Sequence, residues 1–453
     1  MLNTLPPSHF LNLPRPDVFV PTLAGTPDTS TLAAHDFDVD TRTGFMPPQP
    51  PLTRLPSAWE PWEAALDDAI DSKLQHADKP GLTDAEKAES ARWRKCVEEL
   101  PILSIAELKS SEILLRRAHH LPPVCTYSDD VLYNWAFKSP PASKNLFSPK
   151  HELHNLRCLT LFTGTRDEEE FYLSSARIEL RGVEALSIMR SIMDEAFVGD
   201  AIAIRRITAY LKALADVIRD LQVLLGSVRE GCDPEVFYNV IRPWFKGADS
   251  DTTGRKWHFD GIELDPTLEE PTELSGPSAG QSSLIHALDV FLGVDQVTHT
   301  NFAVGRPKTD ASSSSSDAKP SAPSEAPASA PPATSGPPKV PFLTRMQSYM
   351  PRHHRAFLRH LQANPRPLRK MVEQSEDAAL REAYDIAVTA LKQFRDEHVR
   401  IVALYILIPS RRASGGQPGK GAPKGTGGTD AFQFVKGVRD QTARALLAPS
   451  GQQ

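Results

Sequence analysis

The chain has only four cysteines, Cys96, Cys125, Cys158 and Cys232, far apart and with no CxxC pair. That spacing argues against both a zinc site and a disulfide framework, and a reducing compartment, the cytoplasm, is expected. Long apolar runs are also missing. The strongest, Ile401 to Ile408, is eight residues, well short of the ~18–20 that a membrane span needs. No basic stretch followed by an apolar one opens the chain, so a secretory leader is not expected. Charge of one sign is lacking too. Lys and Arg total 51 against 57 Asp and Glu, interspersed, for a net charge of −6, and the basic footprint of a nucleic-acid binder is absent. Proline, by contrast, is in excess, with 40 in 453 residues against a usual ~5 %.

The excess is local. Residues 1–61 hold twelve prolines and residues 301–341 hold nine, the latter beside the serine run Ser312–Ser316. Segments of that composition bury too little apolar surface to offset their ordering entropy. A disordered leader is expected over 1–35 and a disordered Pro/Ser/Ala-rich insertion over 298–341. A third loose stretch, 410–429, is rich in glycine and lysine.

Elsewhere the periodicity is helical and the expected fold class is mostly α. Ile204, Ile207, Leu211, Leu214, Ile218, Leu221, Leu225 and Val228 alternate spacings of three and four, which puts them on one helix face. Asp200 is a suitable N-cap for that helix and Gly231 ends the run. The same rule gives Leu380, Tyr384, Ala387, Leu391, Phe394, His398, Ile401 and Tyr405. Ser375 is the expected cap there and Pro409 the expected end. Further helices are expected at 57–76, 83–99, 175–197, 281–292 and 351–362.

His398 takes a position where the stripe calls for an apolar side chain. A lone histidine there reads first as a satisfied core residue; the other reading is an axial ligand, since neutral imidazole binds haem iron. No HExxH or two-histidine-one-carboxylate spacing stands out among the other histidines. Three segments add weight to the second reading: GPSAGQSS (276–283), small residues opening into an apolar helix; FYNVIR (237–242); and GTGGTD (425–430), a glycine-rich loop after the His398 helix.

In this order the segments resemble the indoleamine 2,3-dioxygenase family, most nearly its fungal members. The likeness extends through LPPVCTYSDDVLYNW (121–135), RDEEEFYLSSARIELRG (166–182), CDPEVFYNVIRPW (232–244), YMPRHHRAFL (349–358) and LREAYDIAVTAL (380–391), and more weakly FDVDTRTGF (37–45). The resemblance implies a large all-helical haem domain (136–445, with a 446–453 tail) and a smaller N-terminal α domain (36–135) covering the distal side. It implies haem b, and dioxygen inserted across the indole C2–C3 bond of L-tryptophan or a related indoleamine to give N-formylkynurenine, in tryptophan catabolism and nicotinamide-precursor synthesis. An electron donor to the haem, a monomer, and neither nucleic acid nor membrane as partner are expected.

Residue by residue, His398 matches the family's proximal iron ligand, and Phe171 and Ser175 match its distal aromatic and serine. Phe237 and Arg242 match its second phenylalanine and its arginine, which would hold the substrate carboxylate. Tyr127 would wall the indole, Ser278, Ala279 and Gly280 would pack over the haem, and Thr426 lies in the loop expected to close on substrate. Asp289 and Arg395 match a pair linking the helix after SAGQSS to the proximal helix.

The chain also departs from the family. A segment near 112–120 is shortened, immediately before Tyr127. Asp130, Ser174 and Glu170 are more polar than the family's residues there, which predicts a more polar distal side. A haem protein that binds indoles or a diatomic gas with little turnover is the alternative function.

Overall fold

The computed structural model describes residues 37–52, 121–122, 124–139, 153–250, 270–295, 341–413, 425 and 430–447, with isolated positions between 54 and 85. The expectations for 1–35, for most of the 57–76 and 83–99 helices, for 112–120, for nearly all of 298–341 and for Thr426 fall outside these residues.

The centre is a pair of long helices, α3 (Ala201–Gly226) and α7 (Ala378–Val402), which share the most extensive contact of any two elements. Asp200 caps α3 as expected, its carboxylate accepting from the amides of Ile202 and Ala203 at 2.9 and 2.7 Å. Ile207, Leu211, Leu214, Ile218 and Leu221 are sealed against Leu380, Tyr384, Ala387, Val388 and Leu391. On the ~25 cal/mol per Å² scale each such side chain contributes about 1.5–3 kcal/mol of burial. Around this pair pack α1 (Arg166–Arg181), α2 (Val183–Val198), α4 (Ser283–Phe291), α5 (Arg352–Gln362), α6 (Leu368–Gln374) and α8 (Ala431–Arg444). Among the described residues the only sheet is a two-residue antiparallel pair, Ala136–Phe137 with Leu156–Arg157. No described helix is long and apolar enough to cross a membrane.

Boundaries differ from expectation where a local competitor wins. Asp377, not Ser375, caps α7, accepting from the Leu380 amide at 2.9 Å; Ser375 sits one step outside and accepts from the Asp377 amide. Pro409 does not end the chain's helical run. A π turn at Ala403–Leu407 widens the backbone just before it, and Pro409 enters the short helix Ile408–Ala413 at its second position, where its missing N–H is harmless.

The helix expected at 175–197 is two helices. The first starts earlier, at Arg166, capped by the Thr165 hydroxyl, and Gly182 separates it from the second. A Cβ on Gly182 would lie 2.2 Å from Leu284 Cδ2, so glycine there lets α1 and α2 close down on the start of α4. The stretch FDVDTRTGF packs on this assembly: Asp40 and Gly44 exchange backbone bonds of 2.8 Å across a tight turn, and Phe45 meets His354 and Phe357 edge-on. Val39 and Phe45 therefore belong to the same core as α2 to α7.

One buried ion pair crosses the layers. Arg395 on α7 donates to both oxygens of Asp289 on α4 at 2.6 Å each, and to the Thr442 hydroxyl on α8. Asp289→Ala would strand the Arg395 charge in the interior and is expected to destabilise the protein by about 3–5 kcal/mol. Gly182→Ala should cost about 1–3 kcal/mol through overpacking against Leu284. Urea unfolding of both variants checks these values, and a Gly182→Ala midpoint equal to the parent's would remove the close-approach argument.

Candidate functional site

A second core, distinct from that between α3 and α7, gathers the distal residues. It holds Tyr127, Trp135, Tyr172, Leu173, Phe237, Phe245, Ile401 and Tyr405, with Phe171 packed against it. Phe171 and Ser175 are one turn apart on α1. The Phe171 ring lies 4.6 Å from that of Phe237, and Phe237 meets Tyr405 edge-on at 5.5 Å. Such offset and edge contacts are the preferred aromatic geometries.

Phe237 and Arg242 are five residues apart, which in an α-helix would turn them by about 140° from each other. The backbone instead forms a π turn over Phe237–Ile241, closed by the Arg242 amide on the Phe237 carbonyl. One added residue per turn swings both side chains toward one face. Arg242 lies over the Tyr238 ring at 5.3 Å, and burial pushes its guanidinium below its ordinary value. The same device recurs beside Tyr127 (π turn Ser128–Leu132) and at Tyr405 (Ala403–Leu407).

His398 is on the α7 face that continues through Ile401 and Tyr405 into this aromatic cluster. Burial, reinforced by the Arg395 cation, pushes its imidazole down to about 4. The residue nonetheless keeps some accessible surface. Among the described residues nothing hydrogen-bonds its ring, so the imidazole is neutral with a nitrogen lone pair to offer. No three His, Cys, Asp or Glu among the described residues could together hold a bare metal ion. A single neutral histidine of this kind fits a haem-iron ligand, since the porphyrin brings its own donors.

The loop before α4 supplies the small residues. Ala279–Gln281 is one 3₁₀ turn capped by Ser278, whose hydroxyl accepts from the Gly280 amide at 3.2 Å. Ala279 is exposed, and a Cβ on Gly280 would already touch Met346 and Phe342 at 3.4 Å. An open, small-residue surface of this kind suits a flat ring. Gln281 pins the loop: its Oε1 accepts from the Tyr127 amide at 2.8 Å and its Nε2 donates to the Gly276 carbonyl at 3.0 Å. His286 holds it from the other side, bonded to the Gly280 carbonyl at 2.9 Å, with burial lowering its pKa.

Glu179, Gln281, Ser282 and His286 thus join the site's framework without a sequence signal beyond their place in the quoted segments. Glu179 is one turn after Ser175, the one detectable hint. The expected polar distal side does not emerge from the three substitutions. Ser174 donates to the Leu224 carbonyl, Glu170 pairs with Arg177, and Asp130 accepts from the Cys125 thiol at 3.0 Å. Each polar group is taken up by a partner outside the candidate set.

The family model for indoleamine 2,3-dioxygenase matches residues 33–121 and 120–445. Its two pieces meet where the chain is expected to be short. An indoleamine 2,3-dioxygenase of Saccharomyces cerevisiae is 31 % identical, over 88 % of this chain and 90 % of its own. The indoleamine 2,3-dioxygenase 1 of Rattus norvegicus is 26 % identical over 91 % and 96 %. A 6-hydroxytryptophan 2,3-dioxygenase of Fusarium equiseti is 28 % identical over 93 % and 99 %. Enzymes of this family are haem-iron dioxygenases of tryptophan catabolism. A neutral, half-buried histidine with no ring partner among the described residues, a small-residue loop and an aromatic wall suit such a cofactor, and the chain belongs to the indoleamine 2,3-dioxygenase family.

Proposed function

We propose that the protein cleaves the indole C2–C3 bond of L-tryptophan with dioxygen to give N-formylkynurenine. The observations that carry this reading are the contact between the Phe171 and Phe237 rings and the π turn that opens at Phe237 and closes on the Arg242 amide. An aromatic wall next to a half-buried guanidinium is complementary to an amino acid with a flat apolar side chain and a free carboxylate. Both oxygen atoms enter the product, so the reaction needs no acid–base pair to deliver or remove protons overall.

Bound haem would supply the iron at which dioxygen is activated. His398 would hold it through a ring nitrogen. Ser278, Ala279 and Gly280 would lie against it without steric conflict. Asp289 and Arg395 would act one step back, fixing the α7 register that presents His398. On the substrate side, Arg242 binds the carboxylate with its planar fork, and Phe171 and Phe237 hold the indole by ring contacts. Tyr127 and Ser175 complete the wall and exclude water. Thr426 belongs to the loop proposed to close over the substrate. An electron donor would supply the reduced state that the bound haem needs. The free thiols of Cys158 and Cys232 support the cytoplasm as the place of work.

The deciding experiment is product analysis of reduced, haem-loaded protein given oxygen and either L-tryptophan or 6-hydroxytryptophan. N-formylkynurenine from the first supports the proposal. A Soret shift without oxygen uptake on either would make the protein a binder rather than a dioxygenase. His398→Ala is expected to abolish stoichiometric haem binding while far-ultraviolet circular dichroism stays that of the parent; histidine-ligated haem surviving in the variant would refute the axial role. Arg242→Ala should weaken L-tryptophan binding by roughly 10- to 100-fold, the worth of a charge-assisted hydrogen bond, and leave indole nearly unaffected. Equal losses for both would remove Arg242 from the carboxylate.

A further inference from the structure

Glu179 belongs to the framework of the site but holds neither substrate nor cofactor in the reading above, and it is 2 % exposed. One of its oxygens, Oε1, accepts two hydroxyls at once: Tyr127 at 3.0 Å and Ser282 at 2.6 Å. The other, Oε2, is buried without a hydrogen-bond partner among the described residues. Ser175, one turn earlier on the same face of α1, also bears on the Tyr127 phenol. The two bonded hydroxyls come from different parts of the site. Tyr127 belongs to the aromatic wall, and Ser282 is the cap of α4, directly after the Ser278–Gly280 loop. With Gln281 holding the Tyr127 amide, wall and loop are tied at both the backbone and the side chain of one tyrosine.

We propose that Glu179 is a positioning residue, a proton-exchanging strut that sets the spacing between the Tyr127 wall and the small-residue loop and thereby the affinity for the indole substrate. This rests on the reading that the cleft takes an indole amino acid beside haem.

Three observations make the strut sensitive to protonation. Burial pushes the Glu179 carboxyl up to about 7, against the pull of its two hydroxyl bonds. The other groups facing it are Tyr127, itself held protonated by burial, and the hydroxyls of Ser282 and Ser175. Nearby ionisable groups on the same or packed elements are engaged elsewhere: Arg177 with Glu170, and His286 with Gly280 and Gln347. Ionised, Glu179 holds both hydroxyls by charge-assisted bonds, which are roughly twice as strong as neutral ones. Neutral, it holds them more loosely and the wall is freer to shift. The sign for stability follows. A carboxyl whose folded pKa lies above its unfolded value adds stability that is complete at low pH and lost as pH rises from about 4.5 to about 7.

Glu179→Gln is the test, because it keeps an oxygen acceptor and cannot ionise. In haem-loaded full-length protein, L-tryptophan affinity read from the Soret shift should tighten roughly fivefold between pH 6 and pH 8 in the parent, with a midpoint near 7. In Glu179→Gln it should stay flat at the weaker value, with haem content unchanged and kcat altered less than KM. A second arm needs no haem: the thermal midpoint of the parent relative to Glu179→Gln, in the apo chain, should fall as pH rises from 4.5 to 7. A flat difference in that arm overturns the titration. A variant that keeps the parent's pH midpoint for tryptophan overturns the positioning role. If the parent itself shows no tryptophan-induced Soret change while the thermal arm behaves as expected, the indole-site reading has failed and the proposal falls with it, distinguishably from a failure of Glu179 to titrate.

Discussion

Arg395 precedes His398 by less than one turn of α7, and its twofold bond to Asp289 is sealed from water. A buried charge pair of this kind adds little net stability, because desolvation offsets most of the Coulomb attraction. Its consequence is geometric. Asp289 lies on α4, and α4 is the direct continuation of the Ser278–Gly280 loop. The pair therefore fixes the imidazole-bearing helix relative to the loop proposed to lie against the same cofactor. The Thr442 hydroxyl extends the tie to α8, which follows the glycine-rich segment. Any sliding of α7 would separate charges that have no water to retreat to.

Three π turns surround the aromatic cluster, at 128–132, 237–241 and 403–407. A π turn weakens local hydrogen-bond geometry and is rare in a helix chosen for stability alone. Each one here has a side-chain consequence. The second brings Phe237 and Arg242 toward a common face. The third lets the α7 stripe run on to Tyr405, whose hydroxyl reaches the Cys232 carbonyl at 2.6 Å just ahead of Phe237. The widened turns thus join the histidine helix to the distal wall, and the aromatic contacts of Phe237 with Phe171 and Tyr405 help offset their cost.

The long helices were legible because their signal is repeated. Repeated positions at alternating spacings of three and four, apolar at all but His398, mark α3 and α7, and no single neighbour can overrule so many. Single-residue decisions were not legible in that way. Ser375 and Asp377 are both competent caps, and the choice between them depends on where the packed stripe begins. The break at Gly182 depends on Leu284, a hundred residues away, whose side chain fills the space a Cβ would need. Among the site residues, Phe171, Phe237, Arg242 and His398 could be named from the motifs that carry them. Glu179 could not, since an acid inside an amphipathic helix ordinarily faces water. Its partners, Tyr127 and Ser282, lie 52 and 103 residues away.

That buried acid explains how the aromatic wall can be both apolar and well defined. A wall made only of rings has broad packing minima, and one such as Phe171, Phe237 and Tyr127 could relax by small rotations at little cost. A buried hydrogen bond is directional, and leaving its partner unsatisfied costs about 1–3 kcal/mol. Tying Tyr127 by its amide to Gln281 and by its hydroxyl to Glu179 replaces a shallow minimum with a specific one. The carboxyl bears the cost of its own desolvation in doing so, which is why it holds its proton to near neutrality. Stability given up at one buried acid is exchanged for a fixed distance between the ring wall and the small-residue loop. In the proposed site, that distance would decide whether a flat cofactor and a flat substrate can be accommodated side by side.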